Sequence, residues 1–291
     1  MKITELISKE HNTISFEVFP PKTDSAFESV AKATAEIAAL KPLFISVTYG
    51  AGGGTSAYTV DITKSVQENY GVPGLAHLTC VSSDKSTVAR QIENIHSAGI
   101  ENIMALRGDL TEELMQGDRS KWAYRHASEL INDIRSSGYD FCIGAACYPE
   151  VHPESENSRE DIKHLKEKVD CGADFLTTQM FFDNSLFYSF LYRIREAGIS
   201  VPVIPGIMPI TNAKQVERAV KLSGSFMPKR FLSLVDCFGS RPEAMNDAGI
   251  IYACDQIIDL YANGINHIHV YSMNKPAVAE GILKYLGAVL G

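Results

Sequence analysis

Hydrophobic residues along the chain gather in eight short runs that are rich in β-branched and aromatic side chains. These runs occupy residues 14–19, 44–49, 74–80, 102–109, 141–148, 175–182, 201–208 and 267–271. Runs of this length, bounded by glycine, proline and polar residues, are typical of buried β-strands. The pattern therefore predicts eight strands.

Helical periodicity fills most of the segments between these runs. Ser25 with Glu28 predicts a capping box at the start of one helix, and Ser158 with Asp161 predicts the start of another, which ends at Gly172. Eight strands that alternate with helices predict a closed (β/α)8 TIM barrel, formed as one domain by residues 1–291. An open doubly wound sheet is the alternative architecture.

Two loop segments stand out from this alternation. The glycine-rich stretch at residues 50–54 lacks the rest of a dinucleotide-binding fingerprint, so we interpret it as a βα loop rather than a Rossmann turn. Residues 224–242 are the one long interruption, and we predict an elaborated loop there, before the last strand.

Composition and charge narrow the class of protein. With 27 Lys plus Arg against 35 Asp plus Glu, the net charge of −8 argues against a protein that coats nucleic acid. Residues 42–60 carry no charge but contain three consecutive glycines, which argues against a transmembrane helix, and residues 1–12 show no secretory signal. The six cysteines form no C-x-x-C pair. We expect reduced thiols in a cytoplasmic protein.

Alternation within the predicted strands indicates which side chains point into the barrel. In the first strand, apolar residues at positions 14, 16 and 18 face the helices, so Ser15 and Glu17 point inward. The same rule directs these further polar side chains inward: Ser46, Thr48, His77, Thr79, Arg107, Asp109, Gln179, His267, His269 and Tyr271. Most of them lie near the carboxyl ends of their strands, where barrel enzymes place their chemistry, so the pattern favours an active site at that end.

Several roles remain open for these polar residues. A buried carboxylic acid with a raised pKa suits general acid catalysis, and Glu17 is the best candidate, although a structural ion pair with Arg107 is the alternative. His77 is either a hydrogen-bonded core histidine or part of a site. A metal-dependent hydrolase or lyase is a second hypothesis, with these ligands: Glu17, His77, Asp109 and His269.

Seven motifs, in their order and spacing, closely resemble those of methylenetetrahydrofolate reductases of the short bacterial type. They are SFEVFPP at 15–21, SVTYG at 46–50, HLTC at 77–80, ALRGD at 105–109, YPEVHP at 148–153, TQMFFD at 178–183 and PGIMP at 205–209. The resemblance implies an FAD-containing barrel that uses NADH or NADPH to reduce 5,10-methylenetetrahydrofolate to 5-methyltetrahydrofolate. Hydride passes through the flavin in a ping-pong sequence, in one-carbon and methionine metabolism.

The resemblance also implies roles for individual residues. Glu17 would be the acid that opens the imidazolidine ring of the folate, and Asp109 would lie near the flavin pyrimidine and the pterin. The implied FAD contacts are Thr48, His77, Arg107, Gly108, Asp109, His126, Ala127, Ala146, Tyr148, His152, Asp161, His164 and Lys168. The implied substrate contacts are Glu17, Thr48, Tyr49, Asp109, Gln179, Gln215, Tyr271 and Lys275.

The chain departs from the family pattern at several of these positions. His126 replaces a usual Tyr, His164 a common Asn, Glu167 an Arg and Ala219 an aromatic residue, while Lys275 stands where Arg is usual. A carboxylate at Glu167 would repel a diphosphate, so we expect weaker binding of FAD. We also expect a homo-oligomer without nucleic-acid or membrane partners. A flavin- or folate-binding subunit that needs a partner for electrons is the third hypothesis.

Overall fold

The computed structural model describes residues 1–21, 23–49, 56–110, 118 and 122–290. Its strands are β1 (Thr13–Val18), β2 (Ile45–Val47), β3 (Gly74–Thr79), β4 (Asn102–Leu106), β5 (Cys142–Cys147), β6 (Phe175–Thr178), β7 (Val203–Ile204), β8 (Gly206–Ile207) and β9 (His267–Tyr271). They form one parallel sheet in the order β7-β6-β5-β4-β3-β2-β1-β9-β8.

Pro205 separates β7 from β8, so these two short strands are halves of the predicted seventh strand. β7 pairs with β6 and β8 pairs with β9, which brings the two ends of the sheet together around a barrel. Proline has no N–H for the ladder, although its carbonyl accepts the His269 N–H at 2.9 Å. The predicted (β/α)8 barrel is confirmed, with its seventh strand interrupted at Pro205.

Gly206 allows this interrupted strand to pack closely against its neighbours. Its N–H donates to the Thr178 hydroxyl at 2.8 Å, where a backbone ladder bond would otherwise form. A Cβ at this position would lie 2.4 Å from both the Thr178 carbonyl oxygen and the Tyr271 hydroxyl. Glycine is therefore required by a close approach of backbone and side chains.

Helices follow the strands on the outside of the barrel. They are α1 (Ile3–Ile7), α2 (Phe27–Ala39), α3 (Ser56–Tyr70), α4 (Lys85–Ser97), α5 (Ala127–Ser136), α6 (Ser158–Asp170), α7 (Asn184–Glu196), α8 (Lys214–Ser223), α9 (Lys229–Phe238), α10 (Pro242–Ala262) and α11 (Pro276–Leu286). None of the described helices is long and apolar enough to cross a membrane. The glycine-rich stretch at 50–54 lies outside the described residues.

Both predicted helix starts need correction. Ser25 lies in a short 3-10 turn before α2, and its hydroxyl contacts the Thr23 hydroxyl at 3.0 Å, so it caps no helix. The second helix, α6, is capped one residue earlier than predicted. The Asn157 side chain accepts the N–H groups of Arg159 and Glu160, because a short Asn side chain satisfies the free donors of a helix start.

The prediction of a loop across residues 224–242 was wrong, because α9 lies within it. Phe231 is buried against Phe182, with ring centroids 5.4 Å apart, and against Tyr252 of α10 at 4.9 Å. The segment between Pro228 and Gly239 repeats apolar residues at helical spacing, namely Phe231, Leu234, Val235 and Phe238, and the loop prediction overlooked this pattern. Packing of this apolar face stabilises the segment as a helix.

The amino-terminal half of the barrel interior is apolar. Inward-facing side chains form a closed cluster there with two residues of α1, which the sequence pattern did not identify: Ile3, Ile7, Phe44, Leu75, Met104, Cys142, Phe175 and Ile204. A larger cluster fills the space between the strands and the outer helices. All six cysteines are free, with Cys237 exposed rather than buried. Polar interior side chains lie mostly nearer the carboxyl end of the barrel, although the buried Asn102 at the start of β4 accepts the Ile3 N–H at 2.9 Å.

Candidate active site

A cavity of about 960 Å³ opens at the carboxyl ends of the strands. This volume is at the upper end of the range for small-molecule sites. The cavity is lined by all but two of the predicted site residues: Glu17, Thr48, Tyr49, His77, Arg107, Gly108, Asp109, His126, Ala127, Ala146, Tyr148, His152, Asp161, His164, Lys168, Gln179 and Tyr271. Strand parity predicted the inward-facing members of this set, and the others were expected from the resemblance. The structure collects these residues but does not by itself assign their roles.

Glu17 lies at the bottom of this cavity, at the end of β1. Its side chain is 19% exposed, and the nearest basic atom is Nε2 of His77, 3.8 Å from the carboxylate oxygen. Burial in a poorly solvated environment raises the pKa of Glu17 to about 8. At neutral pH the carboxyl group therefore holds its proton, as a general acid must.

Arg107 is not the partner of Glu17, so the alternative of a buried ion pair between them is wrong. Its guanidinium binds both carboxylate oxygens of Glu154, at 2.9 and 2.5 Å. The side chain turns away from β1 toward the loop after β5. A bidentate pair of this kind fixes the guanidinium plane and raises the pKa of Arg107.

Gly108 shapes the wall beside this pair. Its φ of +96° lies in the region that favours glycine, and a Cβ would lie 2.7 Å from a methyl carbon of Val81. The chain can turn here only because the position has no side chain. The turn places Asp109 at the cavity, one residue after Gly108.

Two histidines on the barrel axis differ in their contacts. Both ring nitrogens of His269 are engaged, Nδ1 with the Ser15 hydroxyl at 2.7 Å and Nε2 with the Ser46 hydroxyl at 3.0 Å. Nε2 of His77 is buried and has no hydrogen-bond partner among the residues that the structure describes. Desolvation lowers the pKa of each histidine to about 3, so both are neutral. His269 is a core histidine, whereas His77 presents an unsatisfied polar atom beside Glu17.

The hypothesis of a metal site at these histidines is contradicted by the same contacts. His269 has no free nitrogen for a metal, and His267 contacts the Thr13 hydroxyl at 2.9 Å at the opposite end of the strand. Across the described parts of the chain, no group of three or more His, Cys, Asp or Glu is placed to hold a metal ion.

The wall formed by β5 and α6 carries one of the two cationic side chains that line the described cavity. Lys168 is partly buried, and its ammonium donates to the Ala146 carbonyl at 2.9 Å. Desolvation lowers its pKa. Asp161 accepts the His152 N–H at 3.3 Å and the Ser155 hydroxyl at 3.2 Å, which anchors the loop after β5 to α6. The other cation is Arg107.

Three of the departures from the family pattern meet at the outer end of the cavity. The rings of His126 and His164 stack with centroids 5.3 Å apart and planes at 16°. Nδ1 of His164 lies 3.2 Å from Glu167, and Nε2 lies 3.9 Å from Glu160. Desolvation and the neighbouring His164 lower the pKa of His126. This end of the cavity is therefore acidic.

Gln215 and Lys275 do not line the cavity, but the structure brings them together. The Lys275 ammonium donates to the Thr211 hydroxyl at 3.1 Å, and the Gln215 side-chain oxygen accepts the Thr211 N–H at 2.8 Å. Thr211, which the sequence analysis missed, links the two predicted folate contacts. Ala219 is buried in an adjacent apolar cluster, so its methyl group offers no stacking surface.

The methylenetetrahydrofolate reductase family model matches residues 2–287. The chain belongs to this family. It is 34% identical to the 5,10-methylenetetrahydrofolate reductase of Pectobacterium carotovorum over 94% of this chain and 90% of that protein. It is 36% identical to methylenetetrahydrofolate reductase 1 of Schizosaccharomyces pombe and 34% identical to methylenetetrahydrofolate reductase (NADH) 1 of Arabidopsis thaliana. Those alignments cover 96% and 99% of this chain but only 46% and 50% of the two relatives.

A solved structure supports the fold assignment. An uncharacterized protein from Clostridium thermocellum, described as binding two copies of 5-methyl-5,6,7,8-tetrahydrofolic acid, superposes with a TM-score of 0.69. The match covers 98% of this chain and all of that protein, at 16% sequence identity. At this identity the likeness extends to the fold alone.

Several cavity residues escaped the sequence analysis as site candidates. The buried hydroxyl of Thr177 has no hydrogen-bond partner in the described part of the chain, and Glu154 and Glu160 add carboxylates to the wall. Strand parity would have identified Thr177, since it lies two residues before Gln179. The pairing of Glu154 with Arg107 depends on the path of a loop, which no local pattern reveals.

Proposed function

We propose that this protein is a flavin-dependent methylenetetrahydrofolate reductase that converts 5,10-methylenetetrahydrofolate to 5-methyltetrahydrofolate with NADH. Family membership and a bacterial relative matched over 90% of its length support the reaction. The observation that carries the proposal is the largely buried Glu17 in the cavity of a member of this family, where desolvation raises its pKa to about 8. NADH is preferred to NADPH because the Arabidopsis relative carries NADH in its name.

The cavity residues fit a flavin at the inner end. Two buried polar atoms there, His77 Nε2 and Thr177 Oγ1, lack partners among the described residues, and a flat ring with nitrogen and oxygen atoms would satisfy them. Of the described residues that line the cavity, Lys168 and Arg107 would supply the cations for a diphosphate. A bound FAD would supply the means to accept hydride from the nicotinamide and to pass it to the folate.

Glu17 has a defined task in this reaction. Its carboxyl proton moves to a nitrogen of the imidazolidine ring, the carbon–nitrogen bond breaks, and the methylene carbon becomes part of a cationic iminium ion. Glu17 is left as a carboxylate, and the cation is favoured by the charge of Asp109 on the same cavity wall. Raised pKa and location together suit Glu17 to this step.

Gln179 and Tyr271 complete the substrate side of the proposal. The Gln179 side-chain oxygen accepts the N–H of Met180 at 2.9 Å, which leaves its amide donor for a ligand. The Tyr271 hydroxyl donates to the Thr178 carbonyl at 2.6 Å, so its ring is held rigidly against the cavity. Both residues would orient nicotinamide and pterin in turn.

Visible spectroscopy tests the proposal. The purified protein, supplied with FAD, should be yellow, bleach with NADH and regain its colour with methylenetetrahydrofolate. A protein that binds no flavin would contradict the proposal. In a partner-dependent subunit, NADH would not bleach the yellow protein. After chemical reduction, however, the flavin of that protein would still transfer hydride to the folate. The acidic surroundings of His164 are the observation that favours this second candidate.

The Glu17→Gln variant separates the two half-reactions. We expect NADH to bleach the variant at nearly the wild-type rate, because that step needs no proton from Glu17. Reoxidation by the folate should fall by about 100-fold or more, which is the usual contribution of a general acid. Equal losses in both half-reactions would remove Glu17 from the acid role.

A further inference from the structure

The loop that follows β9 continues the pairing of β1 beyond the end of the sheet. The ladder between these strands ends where Glu17 pairs with Tyr271. The Ser272 hydroxyl then donates to the Glu17 carbonyl at 2.7 Å. The Asn274 side chain accepts the Phe19 N–H at 2.9 Å and donates to the Phe19 carbonyl at 2.8 Å. Two side chains thus replace the backbone of a neighbouring strand.

An unusual backbone presents the Asn274 amide to Phe19. Met273 and Asn274 have φ angles of +55° and +52°, in the left-handed region that few residues other than glycine adopt. Asn is among the side chains that tolerate this conformation, but Met is not. Two consecutive residues in this region indicate that surrounding contacts hold the loop, and such strain is concentrated at functional sites.

The amide pairing lies at the end of the backbone hydrogen-bond ladder of β1. On its other side, β1 is held by the Thr48 N–H, which donates to the Val18 carbonyl at 3.0 Å. After Phe19 come Pro20 and Pro21, which have no N–H to donate to a ladder. Asn274 therefore supplies the last pairing that holds residues 17–19 against β9.

The same loop also carries a proposed folate contact. Lys275 follows Asn274 directly, and its ammonium reaches Thr211 at 3.1 Å. One short segment thus connects the backbone of the proposed acid with the group proposed to hold the substrate. A change in this loop would alter both positions together.

We propose that Asn274 is a positioning residue that holds the Glu17 carboxyl at its buried place in the cavity by fixing the backbone of residues 17–19. The catalytic consequence of this role rests on the proposed function, whereas the positioning of Glu17 by Asn274 does not. Nε2 of His77 on β3 lies 3.8 Å from the Glu17 carboxyl group, and Tyr271 of β9 lines the same cavity. The other titratable groups on the cavity wall are Arg107, Asp109, His126, Tyr148, His152, Glu154, Glu160, Asp161, His164, Glu167, Lys168 and His269. The side-chain hydrogen bonds of Asn274 go to Phe19.

Asn274→Gly is the test variant, because glycine keeps the left-handed backbone and removes only the amide contacts. Asn12→Gly is the matched control. Asn12 also has a positive φ, of +49°, and its side chain donates to the Val289 carbonyl at 3.0 Å, on the amino-terminal side of β1. Both variants lose an Asn side chain from a left-handed position, but only one loses contacts next to Glu17.

Infrared titration of the Glu17 carboxyl, identified by its absence in Glu17→Gln, is a readout that needs no catalytic activity. In Asn274→Gly the midpoint should move down by about one pH unit, because a loosened segment admits water to the carboxyl. Asn12→Gly should leave it unchanged. An unchanged midpoint in Asn274→Gly would overturn the proposal, even if the variant is less stable.

Half-reaction kinetics complete the test. Reoxidation of the reduced flavin by the folate should slow about tenfold or more in Asn274→Gly, with bleaching by NADH within about twofold of wild type. Equal slowing of both steps would contradict a role for Asn274 through Glu17. A wild-type protein that does not reduce the folate would contradict the proposed function alone, since the infrared result still decides the positioning role. If Asn274→Gly does not fold, Ser272→Ala replaces it as the test variant, because it lacks only one hydroxyl. Its Glu17 titration midpoint should also move down, but by less than about one pH unit.

Discussion

Glu17→Gln should stabilise the fold, and increasingly so as the pH rises. Wild-type Glu17 has a pKa of about 8 in the folded protein and 4.5 when solvated. Between these values the folded protein holds a proton that the unfolded chain releases, so stability is full below pH 4.5 and is lost as the pH rises through 8. The glutamine cannot ionise and suffers no such loss.

The size of the effect follows from the same values. A difference of about 3.5 pKa units corresponds to about 5 kcal/mol, at about 1.4 kcal/mol per unit. The side chain is 19% exposed, so solvent screens part of the penalty. We therefore expect the variant to exceed wild type in free energy of unfolding by about 2 to 5 kcal/mol above pH 8, and by almost nothing at pH 4.5.

Urea unfolding measured by circular dichroism at pH 5, 7 and 9, with flavin at one saturating concentration, supplies the comparison. Other titrating groups are the same in both proteins, so their contributions cancel in the difference. Glu68→Gln is the control, because its side chain is 63% exposed on α3. A stability difference for Glu17→Gln that does not change with pH would refute the assignment of a buried, protonated carboxyl.

Two further substitutions test the outer end of the cavity and the barrel closure. Glu167→Arg should tighten FAD binding about tenfold or more in a fluorescence titration, because a cation replaces an anion at the proposed diphosphate site. The control variant Glu156→Arg should bind FAD with nearly the wild-type affinity. Riboflavin, which has no diphosphate, should bind Glu167→Arg and wild type about equally. Equal tightening of riboflavin would contradict this placement of the diphosphate. Gly206→Ala should lower the free energy of unfolding by about 2 kcal/mol or more, since its Cβ would lie 2.4 Å from the Thr178 carbonyl, whereas Gly287→Ala has room. Equal urea midpoints for Gly206→Ala and wild type would show that the barrel closure accommodates the methyl group without loss of stability.

The parts of the fold that depend on local pattern were predictable. Apolar alternation located the strands, and the inward direction of Ser15 and Glu17 followed from the period of two along a strand. The interruption at Pro205 was not predicted, although a proline within an apolar run is a signal that a ladder bond is missing. The helix α9 was missed although Phe231, Val235 and Phe238 recur at helical spacing, because the glycines and proline at 224, 228 and 239 favoured a loop.

The candidate site divides in the same way. Membership of the cavity could be predicted from parity for side chains at strand ends such as Glu17 and His77, whereas the helical residues His164 and Lys168 were expected only from the resemblance. Partner choice could not be predicted, because Arg107 meets Glu154 and Lys275 meets Thr211 through the paths of loops that are distant in sequence. Those loops determine the contacts of each charged group. The pairing of Asn274 with Phe19 also depends on the path of a loop and could not be predicted.

Anaerobic single-turnover chemistry tests the central claim most directly. The flavin-loaded protein is reduced with a stoichiometric amount of NADH deuterated at the transferable position and then mixed with methylenetetrahydrofolate. A ping-pong reductase with Glu17 as its acid should form one 5-methyltetrahydrofolate per flavin in wild type, and almost none in Glu17→Gln over the same time. Reduced flavin that persists in wild type with no methyl product would contradict the account.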